Sequence, residues 1–358
     1  FWGHMWRFDA LVQAGHIDHA IAELDQLEPH VTAMGRPIPR WHLLRARIAV
    51  AIGHGRFAAA RELAGQVFDP ISDRSESRPH WWTLMQIGRL SGDNRGLPGD
   101  PPLSQSGNPI GALGEFLNRA PWHLAFGREA EAKALLGALP DVGSTRIPRF
   151  VAMLIDAARC TVASAVGELD IAAAAYANLR PHAGLHVTNG AGVSFTLGSA
   201  HLPLGIAAAA LGRTDDALDH LRAAVAANEA SGLPPFAAEA RYHLAGALRS
   251  RGRPEDQQEA RQEVRRAVAT ADQLGMAPLH AKAAELAERL SGRGLDALTP
   301  RQREIAQLVA RGHSNRQIAA ELHISERTAE NHLRAIMINL GVQNRVQVAT
   351  WITGAPAE

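Results

Sequence analysis

Residues 314–340 read SNRQIAAELHISERTAENHLRAIMINL, and this stretch decides the fold of the C-terminal end. Ser314 followed three residues later by Gln317 is a capping box: each side chain satisfies the other residue's backbone amide at a helix start. The helix it opens is expected to reach Leu322. Ser325 caps a second helix, expected to run to Leu340 and stop at Gly341. Within it Ala329, Leu333, Ile336 and Leu340 recur at i, i+4, i+7 and i+11, a stripe that must face other helices. The opposite face, with Arg327, Glu330, Asn331 and Arg334 in its first half, is left outward. His323-Ile324-Ser325 is too short to separate the helices, so they form a tight pair with the second presented outward, the geometry that enters a major groove.

Two further starts flank this pair. Thr299-Pro300-Arg301-Gln302 places Thr at the cap, Pro at the first helical position and Gln at the third, opening a helix through Arg311 that ends at Gly312. Asn344-Arg345-Val346-Gln347 starts the last helix. A four-helix unit from Leu295 to Glu358 follows.

These residues resemble the LuxR-type, or NarL-type, helix-turn-helix family. The likeness rests on Leu298-Thr299-Pro300-Arg301-Gln302-Arg303-Glu304, Gly312-His313-Ser314-Asn315-Arg316-Gln317-Ile318-Ala319, Ser325-Glu326-Arg327-Thr328-Ala329-Glu330-Asn331-His332 and Leu340-Gly341-Val342. The resemblance implies base-facing positions for Glu330, Asn331 and Arg334, and phosphate-side positions for Thr328, Arg316 and Arg345; Arg327 belongs to the same outward face. Two departures stand out. The family often has Lys where Glu330 and Asn339 stand, so two positive charges are lost, which weakens nonspecific affinity, while Glu330 can accept from a cytosine amine.

From Leu295 to Glu358 seven arginines oppose six acids, a net of +1. So weak a basic patch argues for binding duplex DNA as a homodimer, where two half-sites add their contacts. The family dimerises through the last helix, and Trp351 is the candidate interface residue; closing the small core or packing on the upstream region is the other reading of Trp351.

Upstream, a phrase recurs: an apolar helix, a Gly turn, then a helix beginning near an Ala. It occurs around Gly15, Gly55, Gly127, Gly167, Gly212 and, more weakly, Gly252, with a degenerate turn near Gly92. The spacing is about 40 residues, the range of stacked helical hairpins, which share a core because one hairpin cannot bury its apolar face alone. The fold class expected is therefore all-α: a tetratricopeptide-like hairpin solenoid with a concave groove over residues 1–290, then the helix-turn-helix domain over 295–358. Leu290-Ser291-Gly292-Arg293-Gly294-Leu295 is the expected hinge. Ser91 to Gly114, rich in Gly, Pro, Ser and Asn, is expected to be a long disordered loop. Asn189 to Ala200 suggests a phosphate loop, but no strand is expected before it, so small-residue helix packing is the reading adopted.

The repeats, especially Leu179 to Met276, look like the region between the ATPase and the LuxR-type domain of large ATP-dependent regulators, with Gly212-Arg213, Asp216-Ala217 and Asn228-Glu229 carrying the likeness. By that resemblance they would receive a protein or small-molecule effector. The opening Phe1-Trp2-Gly3-His4-Met5-Trp6 looks like the middle of a helix, so a nucleotide-binding module upstream of Phe1 is an expectation.

The chain has 358 residues, net charge +1 and one cysteine, Cys160. A lone cysteine excludes an internal disulfide framework and fits a reducing, cytoplasmic setting. No apolar run reaches the roughly 18 residues of a membrane span. Lys133 and Lys282 are the only lysines and each precedes Ala, so no Gly-Lys-[Ser/Thr] phosphate loop is present. His16 with His19, and His182 with His186, lack a third ligand, so neither metal nor cofactor is expected, and no residue set suggests an enzyme. The reading is a sequence-specific transcriptional regulator; a protein-interaction scaffold with a degenerate DNA-binding domain is the alternative.

Overall fold

Each glycine of the recurring phrase ends a helix. The computed structural model describes residues 1–67, 77–97, 109–139, 149–188, 196–253, 255–291, 298–340 and 342–353. Gly15, Gly55, Gly92, Gly127, Gly167, Gly212 and Gly252 all have left-handed φ, between +72° and +84°. At Gly55 the amide of Arg56 reaches the carbonyl of Ala51 at 2.8 Å and that of Gly55 reaches Ile52 at 2.9 Å. That pair of hydrogen bonds is a Schellman motif, which satisfies the last carbonyls of one helix and turns the chain into the next.

The hairpins so made are α1 (Trp2–Gln13) with α2 (Ile17–Met34), and α3 (Pro37–Gly53) with α4 (Phe57–Val67). After α5 (Ser77–Ser91) come α6 (Pro109–Ala125) with α7 (Glu129–Gly137), and α8 (Arg149–Ala165) with α9 (Leu169–Leu179). Then α10 (His201–Ala210) pairs with α11 (Thr214–Ala230), and α12 (Pro234–Arg251) with α13 (Asp256–Leu274), before α14 (Ala277–Leu290). The all-α class is thus observed. Tertiary contacts divide the chain into two compact units, Phe1–Ala283 and Ala284–Glu358, with the division inside α14. Residues 292–297 of the expected hinge lie outside the described residues.

The first unit departs from a simple linear stack. One apolar core joins Leu24, Ile48, Ile52, Leu84 and Ile87 from the first hairpins to Leu233, Phe236, Ala271 and Met276 from the last. A Cβ added to Gly55 would lie 2.9 Å from Leu274 Cδ1, and one added to Gly15 would lie 2.7 Å from His186 Cε1. Glycine is needed at both places for close approach as well as for its backbone.

Two expectations are corrected. Between a short 3-10 turn at residues 180–182 and α10 the chain forms an antiparallel pair of strands, β1 (His186–Thr188) and β2 (Thr196–Ser199), with His186 opposite Ser199 and Thr188 opposite Thr196. A strand therefore does precede Asn189, and the helix-packing reading fails for Thr196–Ser199; residues 189–195 lie outside the described residues. Val187, Thr188 and Thr196 are β-branched and favour extended backbone, and the buried Asn228 accepts the amide of Ser199 at 2.9 Å. The second concerns Ser91 to Gly114. Helix α6 begins at Pro109, and residues 92–97 are tied down: Arg61 donates to the carbonyls of Asp93 and Arg95, and Trp122 Nε1 donates to Asn94 at 2.9 Å. Residues 98–108 lie outside the described residues.

Among the described residues no helix is long and apolar enough to cross a membrane, and no group of three or more His, Cys, Asp or Glu is placed to hold a metal.

Candidate nucleic-acid interface

The second unit is built from α15 (Pro300–Ala310), α16 (Asn315–Glu321), α17 (Glu326–Leu340) and α18 (Arg345–Thr353). Both expected capping boxes are formed. Thr299 N donates to Gln302 Oε1 at 2.9 Å and Gln302 N to Thr299 Oγ1 at 3.2 Å; for Ser314 and Gln317 the corresponding distances are 2.8 and 3.3 Å. Ser325 Oγ accepts from Thr328 N at 3.1 Å, and Asn344 Oδ1 from Gln347 N at 2.9 Å. In the last box the Gln347 side chain accepts from Gln343 rather than Asn344.

The stripe on α17 is buried as its spacing requires. Ala329, Leu333, Ile336 and Leu340 share a core with Leu298, Ile305, Leu308, Val309, Ile318 and Val348. The tight turn between α16 and α17 is a Schellman turn with an unusual residue: His323 has φ +52°, and Ile324 N donates to Ala319 O at 3.0 Å. Arg301, from α15, donates to the carbonyl of Leu322 and so fixes this turn to the first helix. Sequence reasoning missed that role, because nothing local couples residues 301 and 322.

Burial of the stripe leaves Arg327, Glu330, Asn331 and Arg334 exposed together on α17. Arg334 Nη2 stands 3.4 Å from Glu330 Oε1, one turn back, with both side chains more than half exposed. Arg327 has no hydrogen-bond or charge partner among the described residues. Arg316, exposed on the first turn of α16, has none either, and Arg311 joins it at the end of α15. Arg311 was passed over in the sequence because it precedes Gly312 and reads as a helix end; its exposure beside the turn into α16 is what singles it out.

Thr328 and Arg345 are more committed. Thr328 Oγ1 lies 2.7 Å from Ser325 Oγ, and Arg345 Nη2 donates to the carbonyl of His313 at 2.6 Å. Arg345 therefore ties α18 to the turn ahead of α16, with its other N–H groups left over. His313 Nε2 is 3.3 Å from Glu321. On α18, Val346 is 69% and Trp351 39% exposed, while Val348 is buried. Trp351 is not among the buried residues of the small core, and part of its ring face is open to solvent.

Guanidinium groups placed this way can meet the phosphates on either side of a groove while α17 offers both donors and acceptors to base edges. Residues 296–352 match the family model described as bacterial regulatory proteins, luxR family. The chain is similar to the spore germination protein GerE of Bacillus subtilis, 44% identical over 50 residues that make up 14% of this chain and 68% of that protein. It is also similar to the nitrate/nitrite response regulator protein NarL of Escherichia coli, 37% identical over 60 residues, 17% of this chain and 28% of NarL. A putative HTH-type transcriptional regulator of Mycobacterium tuberculosis is 43% identical over 56 residues, 16% of this chain. The match spans only 6% of that mycobacterial protein's length.

Proposed function

The chain belongs to the luxR family of bacterial regulatory proteins, and from that we propose that it regulates transcription by placing α17 in the major groove of duplex DNA. The observation that carries the reading is the outward face of α17, where Arg327, Glu330, Asn331 and Arg334 are exposed together because the stripe behind them is buried. Glu330, Asn331 and Arg334 read base edges; Arg316, Arg327, Thr328 and Arg345 lie along the phosphates. Exposed Val346 and Trp351 on α18 form the contact of a homodimer on DNA.

In this proposal residues 1–290 form the domain that receives the signal and residues 295–358 the DNA-binding domain. An open depression of about 360 Å³ between the end of α11, α12 and α13 is where a ligand or peptide would sit in this proposal. It is bordered by Leu233, Thr270 and the charges of Glu229, Arg241 and Arg266. The alternative is a scaffold whose terminal helices no longer bind DNA, favoured by the partial neutralisation of Arg334 by Glu330.

Selection from random duplexes with the whole chain at low salt separates the two. Enrichment of a sequence is expected, and Arg316→Ala should then weaken every duplex alike and lower the salt slope by about one. Absence of any enriched sequence decides for the scaffold.

A further inference from the structure

The acid on the outward face of α17 is not isolated. Glu330 and Arg334 are one helical turn apart, 57% and 66% exposed, with Nη2 of the guanidinium 3.4 Å from Oε1 of the carboxylate. Neither has another partner among the described residues. A carboxylate alone in a DNA groove is repelled by the phosphates on both sides. Beside Arg334 its charge is compensated, and its second oxygen stays available as an acceptor.

This side-by-side donor and acceptor matches the edge of one base pair. In the major groove a G·C pair presents N7 and O6 acceptors on guanine, then the N4 amine donor on cytosine. Guanine O6 and cytosine N4 are hydrogen-bonded to each other and so lie side by side, as the guanidinium of Arg334 and the carboxylate of Glu330 do on α17. Resting on the proposal that α17 enters the major groove, we infer that Glu330 and Arg334 act as one unit that reads a single G·C base pair in a fixed orientation. Arg334 donates to guanine O6 and N7, and Glu330 accepts from cytosine N4. An inverted pair would set the N4 amine against the guanidinium. An A·T pair would set thymine O4, an acceptor, against the carboxylate.

The test is selection from random duplexes with the 358-residue chain as wild type, Glu330→Ala, Arg334→Ala and the double variant. In the wild-type set each half-site should hold one G·C pair of constant orientation, and the same pair should become degenerate in all three variants. Inverting that pair, or replacing it by A·T, should weaken wild-type binding about tenfold or more, and each single variant by less than about twofold. Glu330→Gln is isosteric and carries the test if the alanine variant melts early. Its amide donates as well as accepts, so A·T pairs should enter the enriched set at that position, and an unchanged set overturns the inference. Two single variants that relax different base pairs also overturn it. So does a Glu330→Ala variant that binds every duplex more tightly with its preference intact. If the wild type enriches nothing, the major-groove proposal falls and this inference with it.

Discussion

The guanidinium of Arg345, at the first residue of α18, donates to the backbone carbonyl of His313, 32 residues earlier, at 2.6 Å. One side chain thereby holds the last helix against the turn that sets the direction of α16. Arg345→Ala should lower the stability of the C-terminal unit by about 1 kcal/mol, the net worth of one such bond. Arg316→Ala, on an exposed side chain without a partner among the described residues, should leave stability within about 0.5 kcal/mol. Denaturant midpoints followed on the same protein check both; equal losses would mean that Arg345 holds nothing in place.

His323 occupies a left-handed position, φ +52°, where helices commonly end in glycine. An L side chain there costs roughly 1–2 kcal/mol, partly offset by the greater entropy that glycine loses on folding. His323→Gly should therefore raise stability by about 0.5–1 kcal/mol, read as a higher denaturant midpoint with an unchanged slope. A loss of stability would show that the imidazole makes a contact worth more than the strain.

Gly55 is both left-handed, at φ +74°, and in close approach to Leu274, which a Cβ would meet at 2.9 Å. Gly55→Ala should destabilise the first unit by about 1–3 kcal/mol, through strained backbone and overpacking together. Hydrogen exchange should quicken in α3, α4 and the end of α13 together. Faster exchange confined to residues near position 55 would mean that the two parts of the core are independent.

The helices of the DNA-binding unit were legible in the sequence because their signals are local. A hydroxyl and a glutamine three residues apart write a helix start at Thr299 and Ser314, and the spacing of Ala329, Leu333, Ile336 and Leu340 writes the buried face. The turn glycines wrote the hairpins in the same way. The apposition of Gly55 and Leu274 left no such trace, since residues that far apart share no periodicity. The strand pair was missed for a related reason: Ser199 is held by Asn228, whose partner only tertiary packing supplies. Thr328 and Arg345 were placed beside phosphates by family likeness, and the hydrogen bonds they make to Ser325 and His313 could not be foreseen from spacing.

His186 is 5% exposed, neither ring nitrogen has a partner among the described residues, and burial holds its pKa down to about 4. Between pH 6.5 and about 4 the unfolded imidazole binds a proton that the folded one does not. Stability is therefore present above pH 6.5 and falls as the pH drops towards 4. Thermal melts across that range should show a decline that is shallower in His186→Leu. An identical pH profile in the variant would place the titration elsewhere, among half-buried histidines such as His201 and His220.

Whether the outward face of α17 reads sequence is measured by a ratio of affinities. The 358-residue chain is titrated into its selected duplex and into a scrambled duplex of the same composition, at one salt concentration. The selected duplex should bind at least about a thousandfold more tightly, the lower end of sequence-specific recognition. A ratio near one at every salt concentration would contradict it, because phosphate attraction alone does not distinguish the two.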